Sequence, residues 1–174
     1  NVFGRKIVEE HARACSNIGL AIFGTNAEVM PGQWEFQIGY RGISGEAADP
    51  LTLSDQLWMA RYLLHLVAER YGVAVSFSNK PIKGDWNGAG MHTNFSTKNT
   101  RSPEQGRDAI NHMVNRLGKR HNEHVSSYGH NLDERLTGLH ETCSIHEFRA
   151  GVSDRGASIR IPISTEEKGY GYIE

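Results

Sequence analysis

The sequence predicts a mixed α+β fold in which a sheet carries helices on one face. Three observations predict it. Residues 3–17 and 54–71 space their apolar side chains as amphipathic helices do, and 20–23, 73–77, 91–97 and 157–161 read as short strands. Between the first strand and the second helix, residues 26–39 form a hairpin pattern about Pro31-Gly32.

Each element has a local reason. In 3–17, Ile7, Val8 and Ala14 recur among charged residues until Gly19 releases the chain into Leu20-Ala21-Ile22-Phe23. With Pro31-Gly32 at the hairpin tip, Met30 pairs with Gln33, Val29 with Trp34 and Glu28 with Glu35. Alternation then puts Asn26, Glu28, Glu35 and Gln37 on one face, and Ala27, Val29, Trp34, Phe36 and Ile38 on the other. Because L-Pro-Gly favours a type II turn over the primed turns that suit hairpin twist, a splayed or longer hairpin is the alternative. Ser54 or Asp55 offers an N-cap to the next helix, whose stripe is Leu57, Met59, Leu63, Leu64, Val67 and Ala68, and Gly72 stops it. A strand at 73–77, a glycine-containing loop at 79–90 and a strand at 91–97 follow. A third helix over 102–126 is signed by Ser102, Pro103 in its first turn and Gln105 at capping-box spacing. Loop-rich sequence then leads to the alternating strand 157–161; no repeat or linker interrupts the chain, so one domain is expected.

Composition narrows the function classes. The 174 residues carry 19 Lys+Arg against 20 Asp+Glu, a net charge of -1, so no global field favours nucleic acid or an anionic membrane. Cys15 and Cys143 are too few for a disulfide framework and fit a reducing cytosol. No stretch approaches the ~20 apolar residues that span a bilayer. A soluble, cytoplasmic protein is expected. The chain starts without Met and stops just after a Gly-Tyr run, which suggests a piece of something larger.

Several clusters carry chemistry. Like charges facing across a hairpin at ~5 Å repel unless neutralised, and a hard divalent cation with oxygen ligands does this; the alternative is two solvated glutamates repelling weakly through water. In 91–97, His92, Asn94 and Ser96 share a face after Asn87-Gly88-Ala89-Gly90, where backbone N–H groups can approach an anion; an ordinary strand-end histidine is the bland reading. Neither the phosphate-loop nor the dinucleotide fingerprint fits these glycines. Arg135, Arg149, Arg155 and Arg160 lie in loop-rich sequence, and guanidinium forks suit carboxylate and phosphate oxygens. His140-Glu141 places a possible proton acceptor in a loop. Zinc sets built from Cys143 with His140 and His146, or from His121 and His124, lack paired-ligand spacing.

Read together, Asn26 to Gln37, Lys80-Pro81 through Trp86 to Thr97, Arg135 to Thr142 and Ala157 to Pro162 strongly resemble glutamine synthetase, most closely its type II, eukaryote-like form. The resemblance implies a curved, mostly antiparallel sheet with helices on its outer face, the central part of a catalytic domain whose N-terminal β-grasp domain and C-terminal region lie outside the sequence. It implies ATP-dependent amidation of glutamate by ammonia through γ-glutamyl phosphate. Glu28 and Glu35 would bind one Mg²⁺ or Mn²⁺ ion, and His92 with Glu174 a second. Trp86, Asn87 and Gly88 would hold glutamate, and Arg135 would grip its carboxylate. Arg155 and Arg160 would neutralise the transferred phosphoryl group. Glu35, Asn94, Phe95, Ser96 and Tyr172 would line the nucleotide. Glu141 would close over the acyl phosphate and take a proton from ammonium. A ring-shaped homo-oligomer is implied, a decamer of two pentameric rings, with no nucleic acid or membrane partner. Other metal-binding glutamates of the family are missing, so the 174-residue piece by itself is expected to be inactive. A γ-glutamyl-amine ligase and a non-catalytic structural member are the competing readings.

Overall fold

In the computed structural model, which describes residues 2–174, helix α1 (Arg5–Asn17) begins after Gly4, whose φ of 87° only glycine adopts freely. Its buried face is Val8, His11 and Cys15, spaced i, i+3, i+7 as a helix requires. Strands β1 (Ile22–Ala27) and β2 (Trp34–Ile38) pair antiparallel, with a bulge between Ile22 and Gly24. Helix α2 (Pro50–Arg70) follows. The core of this part is Cys15, Leu20 and Ala60, against which Ile22, Phe36, Ile38 and Leu63 pack.

Polar side chains tie these elements together. The buried His11 Nε2–H donates to Ala60 O at 2.8 Å, its ring meets the Phe36 ring edge-on at 5.0 Å, and Cys15 Sγ lies 3.3 Å from the same nitrogen. Ala21 N–H donates to Gln56 Oε1 at 2.7 Å, and Tyr71 Oη donates to Glu10 Oε2 at 2.8 Å beside the Arg70–Glu10 ion pair. Burial pushes the His11 pKa down and the Cys15 thiol up to about 11, so both are neutral near pH 7.

The chain divides into two units, Asn1–Ser76, just described, and Phe77–Glu174. The second holds α3 (Gly106–Lys119), α4 (His121–Ser127), a 3-10 turn (Leu132–Glu134), β3 (Ala150–Val152), β4 (Ile159–Ile161) and α5 (Ile163–Lys168). β3 and β4 pair in parallel although only residues 153–158 join them. Parallel strands ordinarily need a crossover of a dozen or more residues. Among the described residues no helix is long and apolar enough to cross a membrane.

The α+β class holds, as five α-helices and two two-stranded sheets among the described residues. Several elements differ from expectation. The hairpin register is Ala27↔Trp34 and Asn26↔Glu35, and Glu28 N–H donates to Gln33 O, so Glu28 and Glu35 are diagonal instead of opposite. Gln33 N–H bonds Met30 O around Pro31-Gly32 with Gly32 at φ 81°, the type II geometry, which lengthens the loop by two residues. α2 starts four residues before Ser54, because Asp49 caps it by accepting Thr52 N–H at 3.0 Å and Pro50 fits N1. Residues 73–77 form no strand, and 91–97 contribute one bridge, Phe95↔Ile173. Strand-like composition alone does not fix ladder pairing, which is set by the fold. The 102–126 helix is instead turns to 105 followed by α3 and α4, broken at Arg120. Gly118 lies under the Phe148 ring, where a Cβ would come within 2.8 Å, and His121 Nε2 bonds Ile145 O at 2.9 Å.

Candidate active site

On the hairpin, Asn26 of β1, Glu28 just beyond its end, and Glu35 and Gln37 of β2 share one face, because a register shift of two leaves a period-two pattern unchanged. Asn26 Nδ2 donates to Glu28 Oε1 at 3.1 Å and to Glu35 Oε2 at 3.2 Å, while Gln37 Nε2 donates to Asn26 Oδ1 at 2.8 Å. One amide N–H₂ thus draws the two carboxylates together with the positive end of its dipole. A hard cation is the stronger form of the same neutralisation, so this face fits two oxygen ligands of a divalent ion. Among the described residues no group of three or more His, Cys, Asp or Glu converges as a complete ligand set. Alternation puts Asn26 on this face, while its bridge between the two carboxylates carries no sequence signal.

In the second unit, residues 172–174 run between two other segments. Phe95 and Ile173 exchange N–H···O bonds of 2.8 and 2.9 Å, and Arg160 and Glu174 exchange bonds of 2.7 and 2.8 Å. This places the Glu174 carboxylate where His92 Nδ1 meets Oε1 at 2.8 Å and Arg160 Nε donates to Oε2 at 3.2 Å, with Arg160 Nη2 also paired to Oε1. Burial raises the Glu174 pKa, but the Arg160 bonds and charge, with His92, outweigh it and hold the carboxyl below its ordinary range. The Glu174 hydrogen bond raises the Arg160 pKa. His92, Glu174 and Arg160 are therefore one cluster, and its nitrogen and oxygen donors suit a cation only if Arg160 lets go. Thr165 Oγ1 donates to Tyr172 O at 3.0 Å and Gly171 N–H to Thr100 O at 2.7 Å, which fixes this tail against α5 and the 97–100 turn.

Arg135 lies along the glycine loop. A Cβ on Gly88 would come within 2.7 Å of Arg135 Cγ and of Asn79 O, and one on Gly90 within 2.5 Å of Arg135 Nη2. Only glycine lets the side chain pass there. Burial alone pushes the Arg135 pKa down, and among the described residues its guanidinium has no acidic partner. Asn79, unremarked in the sequence, organises the loop: its O accepts Ala89 N–H at 2.8 Å and its Nδ2 donates to His130 O and Asn131 O. Lys80 Nζ bonds Trp86 O, and Trp86 is partly exposed beside Asn87.

Glu141 sits on a strained loop. His140 and Glu141 are consecutive non-glycine residues at φ 52° and 59°, a conformation that costs of order 1 kcal/mol each and recurs at functional sites. Thr142 Oγ1 bonds Leu139 O and Arg135 O, Thr137 bridges Ser144, and His140 Nε2 lies 3.5 Å from Asp85 Oδ1. Glu141 Oε2 pairs with Arg155 Nη2 at 3.1 Å, both exposed. Ser96 Oγ accepts from Arg101 Nη1 at 2.7 Å, a partner with no sequence signal, while Asn94 and the Phe95 and Tyr172 rings are exposed nearby in sequence to these contacts.

The sequence pattern described as "Glutamine synthetase, catalytic domain" matches residues 3–119. The chain is 54% identical over 173 residues to the glutamine synthetase of Kluyveromyces lactis, 53% to that of Saccharomyces cerevisiae and 54% to that of Neurospora crassa, in each case over 99% of this chain. It spans 44%, 45% and 46% of those proteins, less than half of each. With a family match over most of its length and the motif-bearing loops in the arrangement just described, this chain belongs to the glutamine synthetase family, in its eukaryote-like form, and carries part of the catalytic domain.

Proposed function

We propose that the protein containing this chain joins glutamate and ammonia at the expense of ATP, forming glutamine through γ-glutamyl phosphate. The observation that carries the reading is Arg135, part-buried over Gly88 and Gly90 with no acidic partner among the described residues. A guanidinium withdrawn from water without an anion calls for one from the ligand, and its planar fork matches a carboxylate. Arg135 then grips the glutamate carboxylate while Trp86, Asn87 and Gly88 hold the amino-acid end. Arg155 and Arg160 stabilise charge on the transferred phosphoryl group, Arg160 by leaving Glu174. Glu35, Asn94, Phe95, Ser96 and Tyr172 contact the nucleotide. Glu141, released from Arg155, excludes water and accepts a proton from ammonium, its strained backbone allowing it to move. Mg²⁺ or Mn²⁺ held by Glu28 with Glu35, and by His92 with Glu174, would supply charge neutralisation at the phosphates.

The whole subunit, in this reading, carries a curved, mostly antiparallel sheet with helices on its outer face, assembles as a cytoplasmic ring, a decamer of two pentamers, and includes an N-terminal β-grasp domain and a C-terminal region beyond this segment. The test is ADP release by the full-length protein. ADP and amide must form in equal amounts only when glutamate and ammonium are both present. Comparable kcat/KM with a larger amine in place of ammonium, or no ADP with any amine, contradicts the proposal.

A further inference from the structure

We infer that Asp154 and Arg149 are positioning residues that fix Arg155 for phosphoryl transfer, an inference that rests on the role proposed above for Arg155. The turn that presents Arg155 connects two parallel strands without a crossover, so its shape has to be held by something other than a ladder. Asp154 and Arg149 hold it. Asp154 Oδ1 accepts Gly156 N–H at 2.9 Å, Arg149 Nε lies 3.1 Å from Asp154 Oδ2, and Arg149 Nη2 donates to Gly156 O at 2.9 Å. Both polar groups of the Gly156 backbone are therefore clamped, one by each member of an ion pair. The ring closes around Arg155, which stands between the two clamped residues.

Backbone bonds seat the clamp on the sheet. Arg149 O accepts N–H bonds from Ser158 at 2.8 Å and Ile159 at 3.1 Å, Ser153 N–H donates to Ile161 O at 2.9 Å, and Ala157 N–H to Asp154 O at 3.2 Å. Space is specified too. A Cβ on Gly151 would meet Asp154 Cβ at 2.8 Å, and one on Gly156 would meet Arg149 Nη2 at 3.0 Å. Ser153 takes φ 51° to start the turn. Arg155 itself makes no bond within this ring; its guanidinium points away to Glu141 Oε2 at 3.1 Å. A surface ion pair contributes little to global stability, so a bracket this complete acts chiefly on local geometry. Guanidinium placement to within about 1 Å is what phosphoryl transfer is sensitive to.

The experiment is a double-mutant cycle in the full-length protein, with steady-state kcat and glutamate KM measured for Asp154→Ala, Asp154→Asn, Arg149→Met, Arg155→Lys and each combined with Arg155→Lys. We expect Asp154→Ala to lower kcat about 10- to 100-fold, with glutamate KM and the melting temperature almost unchanged. Asp154→Asn keeps an acceptor for Gly156 N–H and loses the charge toward Arg149, so its loss is smaller, as is that of Arg149→Met. In the Arg155→Lys background the same substitutions lower kcat less than about 2-fold, because they act through a side chain no longer there. Equal losses in both backgrounds, or no loss in the wild-type background for Asp154→Asn and Arg149→Met, overturn the inference. If Arg155→Lys alone leaves kcat unchanged, the role proposed for Arg155 fails, a result separable from either of these.

Discussion

Replacing Gly90 by alanine tests the Arg135 site with a perturbation whose size can be read from the structure. The new Cβ would lie 2.5 Å from Arg135 Nη2 and 2.6 Å from Cζ. Ordinary contact is about 3.5 Å, so the guanidinium must retreat by roughly 1 Å. Gly90 does not need a left-handed backbone, and the atoms it meets end a long side chain, so the protein yields there cheaply. A displacement of that size at a binding fork costs on the order of 10²-fold. Glutamate KM of the full-length enzyme is expected to rise roughly 30- to 100-fold, with ATP KM and melting temperature almost unchanged. Gly88→Ala is the control, because its Cβ would also meet the Asn79 backbone oxygen at 2.7 Å, so stability and activity both fall. An unchanged glutamate KM in Gly90→Ala, in a folded enzyme, would show that Arg135 does not grip the carboxylate.

Two further outcomes follow from the first unit. His11 is buried and its pKa is lowered by desolvation, so the unfolded chain, titrating near 6.5, binds the proton more readily than the folded one. Stability from this group is therefore complete above about pH 6.5 and declines as the pH falls below it, by up to roughly 1.4 kcal/mol per pH unit. Urea unfolding from pH 8 to 5 should show that slope, and His11→Gln should flatten it; an equal slope in the variant contradicts the assignment. On the hairpin, Asn26→Asp replaces the amide that bridges Glu28 and Glu35 by a third carboxylate. In EDTA the variant is expected to lose about 1 kcal/mol of stability, and millimolar Mn²⁺ to raise its melting temperature more than it raises that of wild type. A smaller Mn²⁺ response than wild type would count against metal binding at this face.

The hairpin shows what a sequence makes legible and what it does not. The polar face was readable because side-chain alternation survives a shift of two, whereas the register depended on the type II turn at Pro31-Gly32, a tertiary choice among close alternatives. The start of α2 was legible in Asp49-Pro50, an N-cap followed by proline, but Ser54 and Asp55 offered a competing signal nearer the apolar stripe. Residues 73–77 and 91–97 have strand-like composition but form no strand, and the bridge that Phe95 makes is to Ile173, 78 residues away. Gly118, near the end of α3, lets the Phe148 ring pack close to the helix, and that ring lies 30 residues on. Glu28 and Glu35 are legible from hairpin alternation and His92, Arg135, Glu141 and Arg155 from their local clusters, whereas Glu174 enters only through the family resemblance. Asn79 and Arg101 act by contacts that no spacing encodes, whereas Asn26 and Asp154 each make a local contact two residues along the chain and only their longer-range partners, Glu35 and Arg149, depend on the fold.

The most direct test of the account is the fate of oxygen during turnover. Full-length protein supplied with ATP, ammonium and glutamate labelled with ¹⁸O in its γ-carboxylate should release one ¹⁸O in each inorganic phosphate, as attack of that carboxylate on the γ-phosphoryl group requires. Unlabelled phosphate formed in step with glutamine would contradict it.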